Sequence, residues 1–157
     1  MTDTDHPSNL HAMRVHPTIT ADQISDLVDR FYATIRADES LGPIFERHIG
    51  DNWGPHLSKM KQFWRSVLLK SREYSGRPVP AHQKIDGLGT REFEIWLSHF
   101  SKTALQIMHP DAADITIELA KRIATSLWLS RFPDPRNSPP EWGAASPKTY
   151  EAQNGNF

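Results

Sequence analysis

Apolar residues recur at threes and fours along most of the chain, and each such run predicts a helix with one buried face. In "TADQISDLVDRFYATIRAD" the face is Ile24, Leu27, Val28, Phe31, Tyr32 and Ile35, and Thr20 with Gln23 stands at capping-box spacing at its start. The next stretch, "ESLGPIFERHIG", holds Gly42-Pro43, which predicts only a short turn of helix with Phe45 turned inward. From about Trp53 the stripe resumes through Leu57, Met60, Trp64, Val67 and Leu68, with His56, Met60, Phe63 and Val67 almost in line. Gly76, Pro78 and Pro80 should end that helix near Ser71. A further helix is expected from about Thr90 to Met108, with Phe93, Trp96, Phe100 and Ile107 inward. "HPD" at 109–111 separates it from a last helix whose inner face reads Ile115, Leu119, Ile123 and Leu127. No strand-period segment of useful length occurs, so the expected fold class is all-α, with four substantial helices.

The ends of the chain lose this periodicity. Residues 1–17 mix Pro, Asp, Thr and His and read as a flexible lead-in, whose His6, His11 and His16 could bind stray metal but are expected to be simply solvated. Residues 18–132 form the expected domain. Prolines 133, 135, 139, 140 and 147 argue against a packed element in residues 133–157, which should form a tail or strap that Trp142 and Tyr150 do not dock.

Charge and composition narrow the chemistry. With 157 residues, 18 basic and 19 acidic, the chain suits one domain and carries no field that would draw nucleic acid or an anionic membrane. It has no cysteine, which excludes disulfides, thiolate zinc sites, iron–sulfur clusters and covalently attached haem. Any metal is therefore held by nitrogen or oxygen. The N-terminus has no apolar signal region and nothing approaches the roughly 20 apolar residues of a membrane span, so the expected setting is soluble and cytoplasmic.

Five tryptophans and seven phenylalanines could simply fill a core. Three inward positions on three helices, however, pair an aromatic body with a polar handle: Tyr32, His56 and Trp96. A plain core gains nothing from three buried donors that each need a partner. His82 lies in "SGRPVPAHQKIDGLG", where no long helix is possible, and could offer a neutral imidazole from the opposite side as an axial iron ligand. Phe45, Met60, Phe63, Ile85, Leu88 and Phe93 are available to pack a flat apolar macrocycle, and Lys59 to meet its carboxylates. Two other readings stay open on these residues. One is a cofactor-free helical module binding a small molecule or a partner helix, which leaves His82 without a role. The other is a mononuclear metal hydrolase using His56 and His82, which lacks a carboxylate at ligand spacing.

The blocks "FYATIRADESLGPIF", "WGPHLSKMKQFWRSVLL", "YSGRPVPAHQKI" and "FEIWLSHF" resemble the truncated haemoglobins, specifically group III, over about residues 20–130. The absence of paired glycines between helices fits that group. The resemblance implies a truncated-globin two-over-two helical sandwich around non-covalent haem b and its iron. It implies that His82 is the proximal iron ligand and that Tyr32, His56 and Trp96 are the distal residues. Phe45 would then pack on the haem and Lys59 would pair with a propionate. It further implies binding of dioxygen, carbon monoxide or nitric oxide, and reaction with peroxide. Firm hydrogen bonding of the ligand would suit sequestration, sensing or redox detoxification, such as nitric oxide dioxygenase or peroxidase-like activity, better than bulk transport. A reductase would then be the redox partner. The N-terminal histidines and the proline-rich tail find no role in this family pattern.

Overall fold

The computed structural model describes residues 14–74, 76, 82 and 85–142. Among them the secondary structure is helical: α1 (Ala21–Ala37), α2 (Leu41–Ile49), α3 (Trp53–Leu69), α4 (Thr90–Ile107) and α5 (Pro110–Arg131). The all-α expectation holds, and the described residues form one substantial helix more than the four expected.

α1 begins as its sequence dictates. Thr20 accepts from the Gln23 N–H at 3.1 Å while the Gln23 side chain accepts from the Thr20 N–H at 3.3 Å, closing the capping box. All six apolar residues of its stripe are buried. The extra helix is α2, and it shows where the breaker rule misleads. Pro43 sits in the first turn, where its backbone nitrogen needs no intrahelical partner. Gly42 serves close approach, since a Cβ there would lie 2.7 Å from the Arg36 carbonyl oxygen at the end of α1. Asp38 binds the corner together, accepting from the Ser40 N–H at 2.8 Å, the Leu41 N–H at 2.9 Å and His99 Nε2 at 2.8 Å.

α1 and α3 run antiparallel, as contacts of Tyr32 with Trp53 and of Asp29 with Lys61 show. α4 and α5 form the second antiparallel pair, closed at one end by the Trp128 indole N–H donating to Thr90 Oγ1 at 2.8 Å. The core joins the pairs through Phe31, which meets Trp96 and Phe100 edge-on. The inner face of α5 differs from the expected one. Ala112, Ala113, Thr116, Ile117, Ala120, Ala124, Leu127 and Trp128 are buried, whereas Ile115, Leu119 and Ile123 are half-buried. The small side chains suit a close pairing of α4 and α5, with Ile115 and Leu119 on the flanks and Ile123 still facing inward.

Both ends of the described chain are tied down. Arg14 donates to the Ile19 carbonyl at 2.6 Å and the Val15 N–H to that of Leu68 at 3.0 Å, so the last residues of the lead-in are held. His6 and His11 lie outside the described residues. Trp142 corrects the expectation of an undocked tail: it is buried, leans on Phe93 and donates its indole N–H to Thr125 Oγ1 at 2.8 Å. Burial of a large ring outweighs the proline content of the segment leading to it. Tyr150 lies outside the described residues. None of the described helices is long and apolar enough to cross a membrane.

Candidate functional site

A cavity of about 270 Å³ opens between the helix pairs, and it gathers residues from α1, α2, α3, α4 and α5 and from the segment before α4. Tyr32, His56, Trp96 and His82 all line it, as do Phe45, Lys59, Met60, Phe63, Leu88 and Phe93. Ile85 is the exception: it is half-buried and packs on the core without lining the cavity.

Each polar residue reaches the cavity for a local reason. Tyr32 is the last large residue but one on the α1 stripe, and its ring is held edge-on by Phe31, Phe45, Trp53 and His56 at centroid distances of 4.9, 6.1, 6.0 and 5.1 Å. Its hydroxyl makes no hydrogen bond among the described residues, and burial pushes its pKa well above the ordinary phenol range, so it stays a donor. Trp96 stacks on Phe100 at 5.6 Å, and Phe100 stacks on Trp64 at 4.9 Å, which fixes the indole in the wall.

His56 stands in the first turn of α3, between Tyr32 and Trp53. Its Nε2 is buried and has no hydrogen-bond partner among the described residues. Burial first, then the positive charges of His82 and Lys59, lowers its pKa to about 4, so the ring is neutral near pH 7. An orphaned polar atom in an apolar wall is costly unless a ligand meets it. His82 is half-buried, and the Ile85 N–H donates to its carbonyl at 3.3 Å, turning the chain back toward α4.

The residues present fit a flat apolar group with one axial nitrogen. Met60 and Phe63 are only half-buried by protein, leaving apolar surface for a ligand to cover. Lys59 is exposed at the same rim, where it could meet a carboxylate. His82 could supply the nitrogen, and Tyr32, His56 and Trp96 could serve a small polar ligand.

Sequence reasoning missed part of the wall: Trp64, Tyr74, Gly76, Ile123, Ala124 and Leu127. Trp64 and Leu127 belong to apolar stripes that the sequence does show, but it does not say which stripe residues face a void. Tyr74 lies beyond α3, where no periodicity applies. It is placed by its N–H donating to Ser66 Oγ at 2.9 Å and by its ring packing edge-on to Phe63. The Arg65–Glu73 pair, at 2.7 and 2.8 Å, braces the same turn.

Known proteins resemble the chain over the region that builds the cavity. A family model described as bacterial-like globin matches residues 18–128. The Group 3 truncated hemoglobin ctb of Campylobacter jejuni is 32% identical over 111 residues, covering 69% of this chain and 87% of that protein. The crystal structure of group III truncated hemoglobin from Campylobacter jejuni matches with a TM-score of 0.67 and 31% identity, over 71% of this chain and 90% of that one.

Proposed function

The chain belongs to the bacterial-like globin family, in its group III truncated haemoglobin branch, and on that premise we propose that it holds one haem b non-covalently in this cavity and binds a diatomic gas there. Globins as a family bind haem iron and small gaseous ligands. The finer reading rests on the residues of this chain. The observation that carries it is the buried, unpaired Nε2 of His56, a residue that lines an apolar cavity together with Tyr32, Trp96 and His82.

When bound there, haem would supply an iron able to bind a gas molecule. His82 is the proximal ligand in this reading, so its ring nitrogen must be neutral when it binds. Lys59 would pair with a propionate at the rim, and Phe45, Met60, Phe63, Leu88 and Phe93 would exclude water from the bound group. Tyr32 Oη–H is the main donor to a ligand that gathers negative charge, because burial keeps its proton in place. Trp96 Nε1–H is the second donor. His56, held neutral, offers its Nε2 to the ligand or to the path along which the ligand arrives. A charge-assisted hydrogen bond contributes about 1.5–3 kcal/mol. Retention of that strength favours sequestration, sensing or redox removal of oxygen, nitric oxide or peroxide over release to a distant acceptor. Turnover of this kind needs a reductase partner, and the proposed setting is the cytoplasm.

The test is titration of the haem-free protein with haemin, followed by reduction and exposure to carbon monoxide. The expected result is one haem per chain and a five-coordinate or weakly six-coordinate ferrous form that binds carbon monoxide. Failure to take up haem would leave the family fold standing and remove the proposed function.

A further inference from the structure

We propose that His16, His109 and Asp111 form a second metal site, outside the haem cavity, that takes one divalent transition-metal ion such as zinc. One potential ligand atom from each residue lies within 4.8 Å of the others. None of the three lines the cavity, so the site is independent of the function proposed for it.

The three side chains come from parts of the chain 93 residues apart (109 − 16). His16 belongs to the segment before α1. The backbone there is held by the Val15–Leu68 bond at 3.0 Å and by the Ile19 N–H donating to the His16 carbonyl at 3.2 Å. His109 is the N-cap of α5, with Pro110 fixing the first helical position after it and Asp111 in the first turn. The two imidazoles stack with centroids 5.7 Å apart and planes 20° apart. Stacking and capping account for the imidazoles alone. Asp111, in the first turn of α5, also suits the positive end of that helix, and it places a carboxylate beside both rings.

The donor set selects the ion. Two imidazole nitrogens and one carboxylate oxygen suit zinc and its neighbours, whereas calcium and magnesium require oxygen ligands throughout. Tetrahedral bonds of about 2.0–2.1 Å place ligand atoms about 3.4 Å apart. The observed spread exceeds this, and closing it requires rotation of the exposed His109 and Asp111 side chains. Water completes the coordination.

Coordination through Nε2 requires the proton on Nδ1. At His16 that proton meets Thr18 Oγ1 at 2.9 Å, an outer partner of the kind that orients a metal-bound imidazole, but it costs the 3.2 Å bond from the Thr18 N–H. At His109 it costs the 3.2 Å bond from the Asp111 N–H. The cation also meets the positive end of α5, which the Asp111 carboxylate offsets. Binding well short of a closed structural zinc site follows from this balance. Its consequence is a clamp that fastens the segment before α1 to the α4–α5 corner.

The test uses the haem-loaded full-length protein and zinc chloride, with binding measured by calorimetry and thermal unfolding measured with and without metal. His109→Asn keeps a capping acceptor while removing the imidazole, and Asp111→Asn removes the charge. A His6→Ala/His11→Ala double variant reports on the other N-terminal histidines. The wild type should bind one zinc and unfold on the order of 5 °C higher at a hundredfold excess over Kd. Each single variant should weaken binding at least about tenfold and lose that rise, with haem absorbance unaltered. The double variant should behave as wild type. No zinc binding by the wild type overturns the site, as does binding that survives His109→Asn and Asp111→Asn, or binding lost only in the double variant.

Discussion

The Tyr32 ring stands edge-on to the His56 imidazole, with centroids 5.1 Å apart and planes at 89°. The contact joins α1 to α3 along the cavity, and it leaves the phenol hydroxyl and the His56 Nε2 as separate handles in one apolar wall. With Phe31, Phe45 and Trp53 also against the tyrosine, its rotamer is set before any ligand arrives. A donor held in place in this way loses little entropy when it bonds.

Removing that donor should show in the rate of gas release. Tyr32→Phe keeps the packing and deletes one hydrogen bond worth about 1.5–3 kcal/mol, so dioxygen dissociation should quicken about 10- to 150-fold. Carbon monoxide, which gathers less charge, should respond far less. Stopped-flow measurement on the reduced protein checks both. An unchanged dioxygen rate would remove Tyr32 from the role of main donor.

On the other side of the cavity, His82→Gly should weaken haem retention and abolish the proximal iron–nitrogen stretch in the resonance Raman spectrum. Added imidazole should restore a stretch at a shifted frequency, since a free ring can enter the space vacated. A wild-type band in the variant without imidazole would mean that another residue holds the iron.

Asp38 makes acidity a probe of the α1–α2 corner. Burial raises its pKa, but hydrogen bonds from His99, the Leu41 N–H and the Ser40 N–H outweigh this, and the net shift is downward from 3.8. A depressed folded-state value means the unfolded chain binds the proton more readily. The contribution to stability is therefore complete above the ordinary aspartate range, and it disappears as pH falls through the lower folded value. Asp38→Ala should lower stability at neutral pH by about 1–3 kcal/mol and flatten the acid limb of the unfolding curve. Urea midpoints from pH 7 down to about 3 measure both effects.

The alanine face of α5 should resist enlargement. Ala120 is fully buried on α5, and Ala120→Leu should cost about 1–3 kcal/mol in thermal unfolding. Its neighbour Leu119 lies half-buried on the flank, so Leu119→Ala should cost less than the roughly 2–5 kcal/mol of an interior leucine truncation. Equal losses at the two positions would contradict the assigned faces.

Periodicity made much of this molecule legible. The six-residue stripe of α1 and the Thr20–Gln23 cap follow from side-chain spacing alone, because the rules involved are local. The cavity residues were legible as a set: Tyr32, His56 and Trp96 are polar handles on otherwise apolar faces, and their meeting point follows once the faces pack together. What escaped depends on distant partners. Gly42-Pro43 reads as a break until Pro43 falls in a first turn and Gly42 meets the Arg36 carbonyl. The face of α5 was misjudged because hydrophobicity ranks isoleucine above alanine, whereas a close helix crossing selects by size. Tyr74 sits in a turn whose shape is set by Ser66 and the Arg65–Glu73 pair, none of which leaves a periodic trace.

Trp142 gives the cavity wall a second owner. The region shared with other globins ends at residue 128, yet the back of Phe93, which lines the cavity, is covered by an indole fourteen residues further along. A chain trimmed to the shared region would keep every residue assigned to ligand chemistry and expose one of its supports to water. In this protein the outline of the inherited domain and the outline of the folded unit are therefore different lines.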